Sequence, residues 1–179
     1  MTGAGYVYGA ALYRLAREES LARTVLEELE ALEKSFSQEP DFLRLMAGPN
    51  LSKEERRAAL DRCFRGNVHG YVLNFLKLLM EKGRFRQFPR CVSAFRELYY
   101  EECGILPVQA TTAVPLTPEQ AARLEARVGA LTGKKICLTN RVDPAVLGGV
   151  RLDYDGKRLD GTVTRRLEGI RSRLADTVL

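Results

Sequence analysis

The chain has 179 residues, 45% of them hydrophobic and 28% charged. That is enough for one medium domain or two small ones and too apolar for a chain that stays unfolded. Its net charge of +5 suits an ordinary soluble protein, and the longest uncharged stretch, Gly104 to Pro118, carries three prolines and falls short of the roughly 20 apolar residues of a spanning helix; no basic residue precedes Arg14, so a secretory signal is not expected.

Helical periodicity is nearly continuous from Met1 to Cys103. Val7, Ala11 and Leu15 share one face of a first helix, with Tyr8 and Leu12 beside them. Gly9, Ala10 and Ala11 form a small-residue patch that lets another helix approach closely. Ala22, Val25, Leu29, Leu32 and Phe36 recur at helical steps in a second helix, whose polar side carries Glu27, Glu28, Glu30 and Glu33. A short third helix over Asp41–Ala47 ends at Gly48-Pro49. Ser52 and Glu55 form a capping box that opens a fourth, running to Phe64. A fifth, Val68 to Lys82, is apolar at Val72, Phe75, Leu76 and Leu79 and also at Tyr71, Leu73 and Leu78. That is more of its circumference than a small bundle covers, and Gly83 stops it. Phe88, Val92, Phe95 and Tyr99 mark a sixth. Six helices in this length predict a compact bundle with short loops.

The pattern changes at Gly104, where we place a domain boundary. Residues 1–104 carry 16 basic and 15 acidic residues, and residues 105–179 carry 12 and 8. Val108, Ala110, Thr112 and Val114 alternate as a strand does. Thr117, Pro118 and Gln120 start a helix with Ala121, Leu124, Val128 and Leu131 as its buried stripe and Gly133 as its stop. Lys135–Thr139 reads as a strand. Val150, Leu152 and Tyr154 alternate into an Asp155-Gly156 turn, the mark of a hairpin. A last helix is expected from an Asp160 cap, with Val163, Leu167, Ile170 and Leu174 on one face. The fold class is therefore mainly α: an N-terminal six-helix bundle (1–104), then a small α+β domain (105–179).

No constellation in this sequence supports catalysis. His69 is the only histidine and sits in a predicted helix without a Ser or Cys partner. Cys63, Cys91, Cys103 and Cys137 are spaced 28, 12 and 34 apart, which is no zinc pattern; reduced, mostly buried thiols are expected. The glycines from Gly3 to Gly9 follow no strand, and Gly129 to Lys135 follows a helix and lacks the hydroxyl that binds magnesium, so neither cradles a phosphate. No metal and no cofactor is expected. Basic residues come in scattered pairs (Arg56-Arg57, Lys134-Lys135, Lys157-Arg158, Arg165-Arg166) with no aromatic-rich strand among them. A basic helical RNA-binding module remains the alternative reading, and an enzyme built on a tuned carboxylate a remote third.

Five segments, in order, resemble one family, the delta subunit of bacterial F-type ATP synthase, which is similar to the mitochondrial oligomycin-sensitivity-conferring protein. They are Tyr8-Gly9-Ala10-Ala11-Leu12-Tyr13; Asn74-Phe75-Leu76-Lys77-Leu78-Leu79-Met80-Glu81-Lys82-Gly83-Arg84; Val114-Pro115-Leu116-Thr117 with Gln120; Val142-Asp143-Pro144-Ala145-Val146-Leu147-Gly148-Gly149-Val150-Arg151-Leu152; and Asp160-Gly161-Thr162-Val163 with Leu167. Gly9 stands where the family usually has Ala. The resemblance implies a non-catalytic stator subunit of the peripheral stalk, at the cytoplasmic face of the cell membrane and touching the membrane only through its complex. It implies that the N-terminal domain binds N-terminal helices of alpha subunits between its first and fifth helices, and that the C-terminal domain binds the b subunits. No nucleic-acid partner is implied. The groove residues expected on this basis are Tyr8, Ala11, Leu12, Leu15, Phe75, Leu78 and Leu79, although a place in the bundle core is the plainer reading of Leu76 and Leu79.

Overall fold

The computed structural model describes residues 3–48 and 51–165, and the statements below concern these. Pro49, Leu167, Ile170 and Leu174 lie outside them. The chain divides into two compact units between Tyr99 and Tyr100.

The first unit is helical. Among the described residues it contains α1 (Ala4–Glu18), α2 (Ala22–Gln38), α3 (Pro40–Ala47), α4 (Lys53–Phe64), α5 (Gly70–Glu81) and most of α6 (Phe88–Cys103). Its centre is aromatic. The Phe36 ring of α2 lies 5.1 Å from Phe88, 5.2 Å from Phe42, 5.8 Å from Phe85 and 6.0 Å from Phe64, so four neighbouring segments close on one side chain. Three of the glutamates of α2 tie it to other segments. Arg96 of α6 donates to Glu30 (2.6 Å) and Glu33 (2.9 Å), and the Glu28 carboxylate accepts the backbone N–H of His69 at 2.7 Å. Lys77 of α5 likewise reaches Asp61 of α4 at 2.7 Å and holds that carboxyl below its ordinary range.

The ends of these helices follow their local chemistry. Ser52 and Glu55 form the capping box of α4. α5 begins two residues later than its periodicity predicts, because His69 is its N-cap: Nδ1 accepts the N–H of Tyr71 at 3.3 Å. Gly83, at φ +64°, closes α5. Its N–H donates to the Met80 carbonyl, and the N–H of Arg84 donates to that of Leu79 at 2.8 Å. This double bond pattern needs a left-handed residue after the helix.

The second unit is a four-stranded sheet with a helix on one face. In chain order come β1 (Ile105–Thr112), α7 (Pro118–Thr132), β2 (Lys135–Val142), a short 3-10 turn, β3 (Val150–Tyr154) and β4 (Lys157–Asp160). The order across the sheet is β2-β1-β3-β4. β1 and β2 are parallel, as the α7 crossover requires, and β3 runs antiparallel to both β1 and β4. Leu106, Val108 and Ala110 of β1, Leu152 of β3 and Val128 of α7 form the core, with Leu124, Ile136 and Leu138 against it. Thr117 and Gln120 cap α7 reciprocally.

Three expectations fail here. Leu131 is 82% exposed, because the core against α7 ends at Val128 and the last turn meets no apolar partner. Val114 is exposed because β1 ends at Thr112. Asp160 is not the cap of the last helix. Its carboxylate accepts the N–H and hydroxyl of Thr162 (3.0 and 2.7 Å), and the Thr162 oxygen accepts the N–H of Arg165, so Thr162 is the capping residue.

Candidate functional site

α1 is two-sided, and the sides are not those its periodicity suggests. Gly5, Gly9, Leu12, Tyr13 and Ala16 are buried, whereas Val7, Ala11 and Leu15 face solvent. The small-residue patch is therefore split: Gly9 is taken up by α6 within the chain, and Ala11 faces outward. A Cβ on Gly9 would lie inside contact distance of the Cys91 carbonyl oxygen, and one on Gly5 would crowd Arg90. Glycine at these positions lets α6 approach the α1 backbone. Tyr13 continues this seam edge-on to Phe95, 5.3 Å away.

That packing turns the other side of α1 towards α5, and a groove of about 380 Å³ opens between them. α1 contributes Tyr8, Ala11, Leu12 and Leu15, at the steps of one helical face. α5 contributes Tyr71, Asn74, Phe75 and Leu78, at the same steps. Leu12 and Phe75 are nearly buried and belong to the core as well as to the groove; Leu15 is 39% and Leu78 38% exposed. The result is an open, mostly apolar trough with exposed leucines, of the kind that takes the apolar face of a helix.

The groove unites Tyr8, Ala11, Leu12, Leu15, Phe75 and Leu78, and excludes Leu79. Leu79 is fully buried and lies one residue, or about 100° of helix, past the exposed Leu78, so it faces the core. Tyr71 and Asn74 were missed. They complete the i, i+3, i+4, i+7 stripe through Phe75 and Leu78, and that spacing was the signal available. The two ends of the groove are fixed by neighbours: the His69 ring lies 5.0 Å from Tyr71, and the Arg84 guanidinium lies over Tyr8, 5.8 Å from the ring centre.

A larger concavity, about 620 Å³, lies on the face of the sheet opposite α7, lined by Gln109, Thr139, Asp153 and residues 155–158. Two of its charges satisfy one another. Arg158 donates to Asp153 at 2.6 Å and keeps that carboxyl low, with Arg151 3.4 Å away. It contains no nucleophile and base in contact. Among the described residues no group of three His, Cys, Asp or Glu side chains is placed to hold a metal ion, and no helix is long and apolar enough to cross a membrane. Of the four cysteines, all free, only Cys91 is buried, and burial pushes its thiol up to about 11. Cys137 is half-buried, 3.3 Å from the Tyr100 hydroxyl. Cys63 and Cys103 are exposed, because both lie on outer faces of their helices, so the expectation of mostly buried thiols fails.

Comparison with known proteins gives one consistent result. The family described as "ATP synthase delta (OSCP) subunit" matches residues 5–174. The chain is similar to proteins named "ATP synthase subunit delta": 35% identical to that of Lacticaseibacillus casei, covering 93% of this chain and 92% of the relative, and 33% identical to that of Alkaliphilus oremlandii, covering 94% and 93%. Its fold is similar to a chain of the Toxoplasma gondii mitochondrial ATP synthase hexamer solved by cryo-EM. There the TM-score is 0.73 at 22% identity, covering 97% of this chain and 98% of that one. Nothing in these comparisons supports the RNA-binding alternative.

Proposed function

Because this chain belongs to the ATP synthase delta (OSCP) family, a non-catalytic component of the peripheral stalk of F-type ATP synthase, we propose that it is a connector with a separate grip at each end. The helical domain, residues 1–104, acts as a six-helix bundle that takes an N-terminal helix of an alpha subunit into the α1–α5 groove. The α+β domain, residues 105–179, holds the C-terminal ends of the b subunits, which are anchored in the membrane. The subunit works at the cytoplasmic face of the cell membrane and meets the membrane only through the complex.

The mechanism is mechanical. Rotation of the central shaft exerts torque on the catalytic head, and a head free to turn with the shaft makes no ATP from proton flow. A link from head to membrane anchor holds the head still. Such a link needs surfaces that do not let go under load, and no reacting group.

The observation that carries this reading is the α1–α5 groove, with Leu15 and Leu78 exposed beside the nearly buried Leu12 and Phe75. An amphipathic helix seated there covers what remains exposed of the two leucines, 39% and 38%, a gain of up to about 1 kcal/mol each. The test is titration of an alpha-subunit N-terminal peptide into the full chain and into Leu78→Asp and Ala11→Asp variants. Each variant should weaken binding by more than about tenfold, since a carboxylate is buried without a partner. Leu12→Asp is unsuitable, because Leu12 is core. Circular dichroism verifies the fold; folded variants that bind as well as the parent place the alpha contact elsewhere.

A further inference from the structure

Four arginines among the described residues are half-buried: Arg56, Arg84, Arg96 and Arg151. Three of them meet oxygen acceptors within the chain. Arg56 donates to the carbonyls of Ser52 and Met46, Arg96 to Glu30 and Glu33, and Arg151 lies beside Asp153. Among the described residues the Arg84 side chain has only the face of the Tyr8 ring, 5.8 Å from guanidinium carbon to ring centre. A cation over an aromatic face is held by the charge. It leaves the five N–H donors of the guanidinium, which are arranged to grip a carboxylate, without a protein acceptor among the described residues.

The position of Arg84 is built. Gly83 reverses the chain at the end of α5, and the N–H of Arg84 is tied to the Leu79 carbonyl at 2.8 Å. The side chain is thereby delivered to Tyr8, which lines the groove. An otherwise apolar trough is thus bordered at one end by a half-buried, oriented cation with unused donors.

We propose that Arg84 is a specificity residue of the groove: it pairs with an Asp or Glu side chain carried by the helix that fills the trough. This rests on the reading of the groove as a helix-binding site. The apolar stripe supplies most of the affinity, and the ion pair sets which amphipathic helix is accepted and in which register it lies, because an apolar face alone slides.

The probe is the alpha-subunit N-terminal peptide, titrated into the full chain and into Arg84→Gln at low and high salt. Arg84→Gln should bind about fivefold more weakly at low salt, the upper end for a partly exposed ion pair, and the gap should narrow as salt rises. Replacing the acidic residues of the peptide one at a time by their amides should identify one position. That peptide should lose a similar factor against the parent and nothing further against Arg84→Gln. If Arg84→Gln binds like the parent at low salt, or loses the same factor with every peptide at every salt, Arg84 merely props Tyr8 and the proposal is overturned. If the parent does not bind the peptide at all, the reading of the groove fails and the proposal falls with it. Should Arg84→Gln not fold, the amide series against the parent and against Arg84→Lys decides. One amide position weakened against the parent, with a smaller further loss against Arg84→Lys, supports the pairing, and a flat series overturns it.

Discussion

Gly9 shows how one residue decides the geometry of the site. By helix propensity alone, Ala at this position should stabilise α1 by up to about 1 kcal/mol. The structure reverses the sign, because the added methyl meets the backbone carbonyl of Cys91, which no side-chain rotation can move away. Gly9→Ala should therefore destabilise the helical unit by about 1–3 kcal/mol, the usual cost of overpacking, and chemical denaturation of the full chain measures this. The same substitution pushes α1 off α6 and shifts one wall of the groove, so peptide affinity should fall with it. Leu78 and Leu79 make the converse point. Adjacent in sequence and alike in chemistry, they differ only by a step of rotation about the helix, which puts one in the trough and the other in the core.

At the scale of elements, helix ends were the most legible feature, because their signals are local. Ser52 with Glu55 and Thr117 with Gln120 cap as their spacing says. Gly83 and Gly133 stop α5 and α7 at positive φ. Loss of the Thr117 cap by Thr117→Ala should cost about 1 kcal/mol, and the loss should appear in the melting of the sheet unit while the helical unit is unchanged. The face of α1 was not legible. Its apolar residues run around much of the cylinder, and periodicity cannot tell a leucine against the core from one in a groove; the glycines that really mark the buried side carry no hydrophobic signal. The groove on α5 could be read further. Its surplus of apolar positions showed that some remain uncovered, and the stripe through Tyr71, Asn74, Phe75 and Leu78 is a regular one. The exposure of Leu131 depends on where the sheet core ends, and no local pattern encodes it.

At the scale of the molecule, the two units have separate cores, one built on Phe36 and its aromatic neighbours, the other on the sheet and α7. Separate cores allow separate tasks, and the connector account assigns one grip to each. The second unit, Tyr100–Leu179, is the shorter, and the core of a unit that size rarely contributes more than about 3–5 kcal/mol of net stability, so its partner should stabilise it by mass action. The most direct test removes one grip and keeps the other. A fragment of residues 1–103 should fold as a helical unit and bind the alpha-subunit peptide like the full chain. Reconstituted with membranes and catalytic head in place of the full chain, it should leave ATP hydrolysis by the head intact and fail to restore ATP synthesis driven by proton flow. Coupled synthesis restored by this fragment would contradict the account, because it would mean that the head is held still without the second grip.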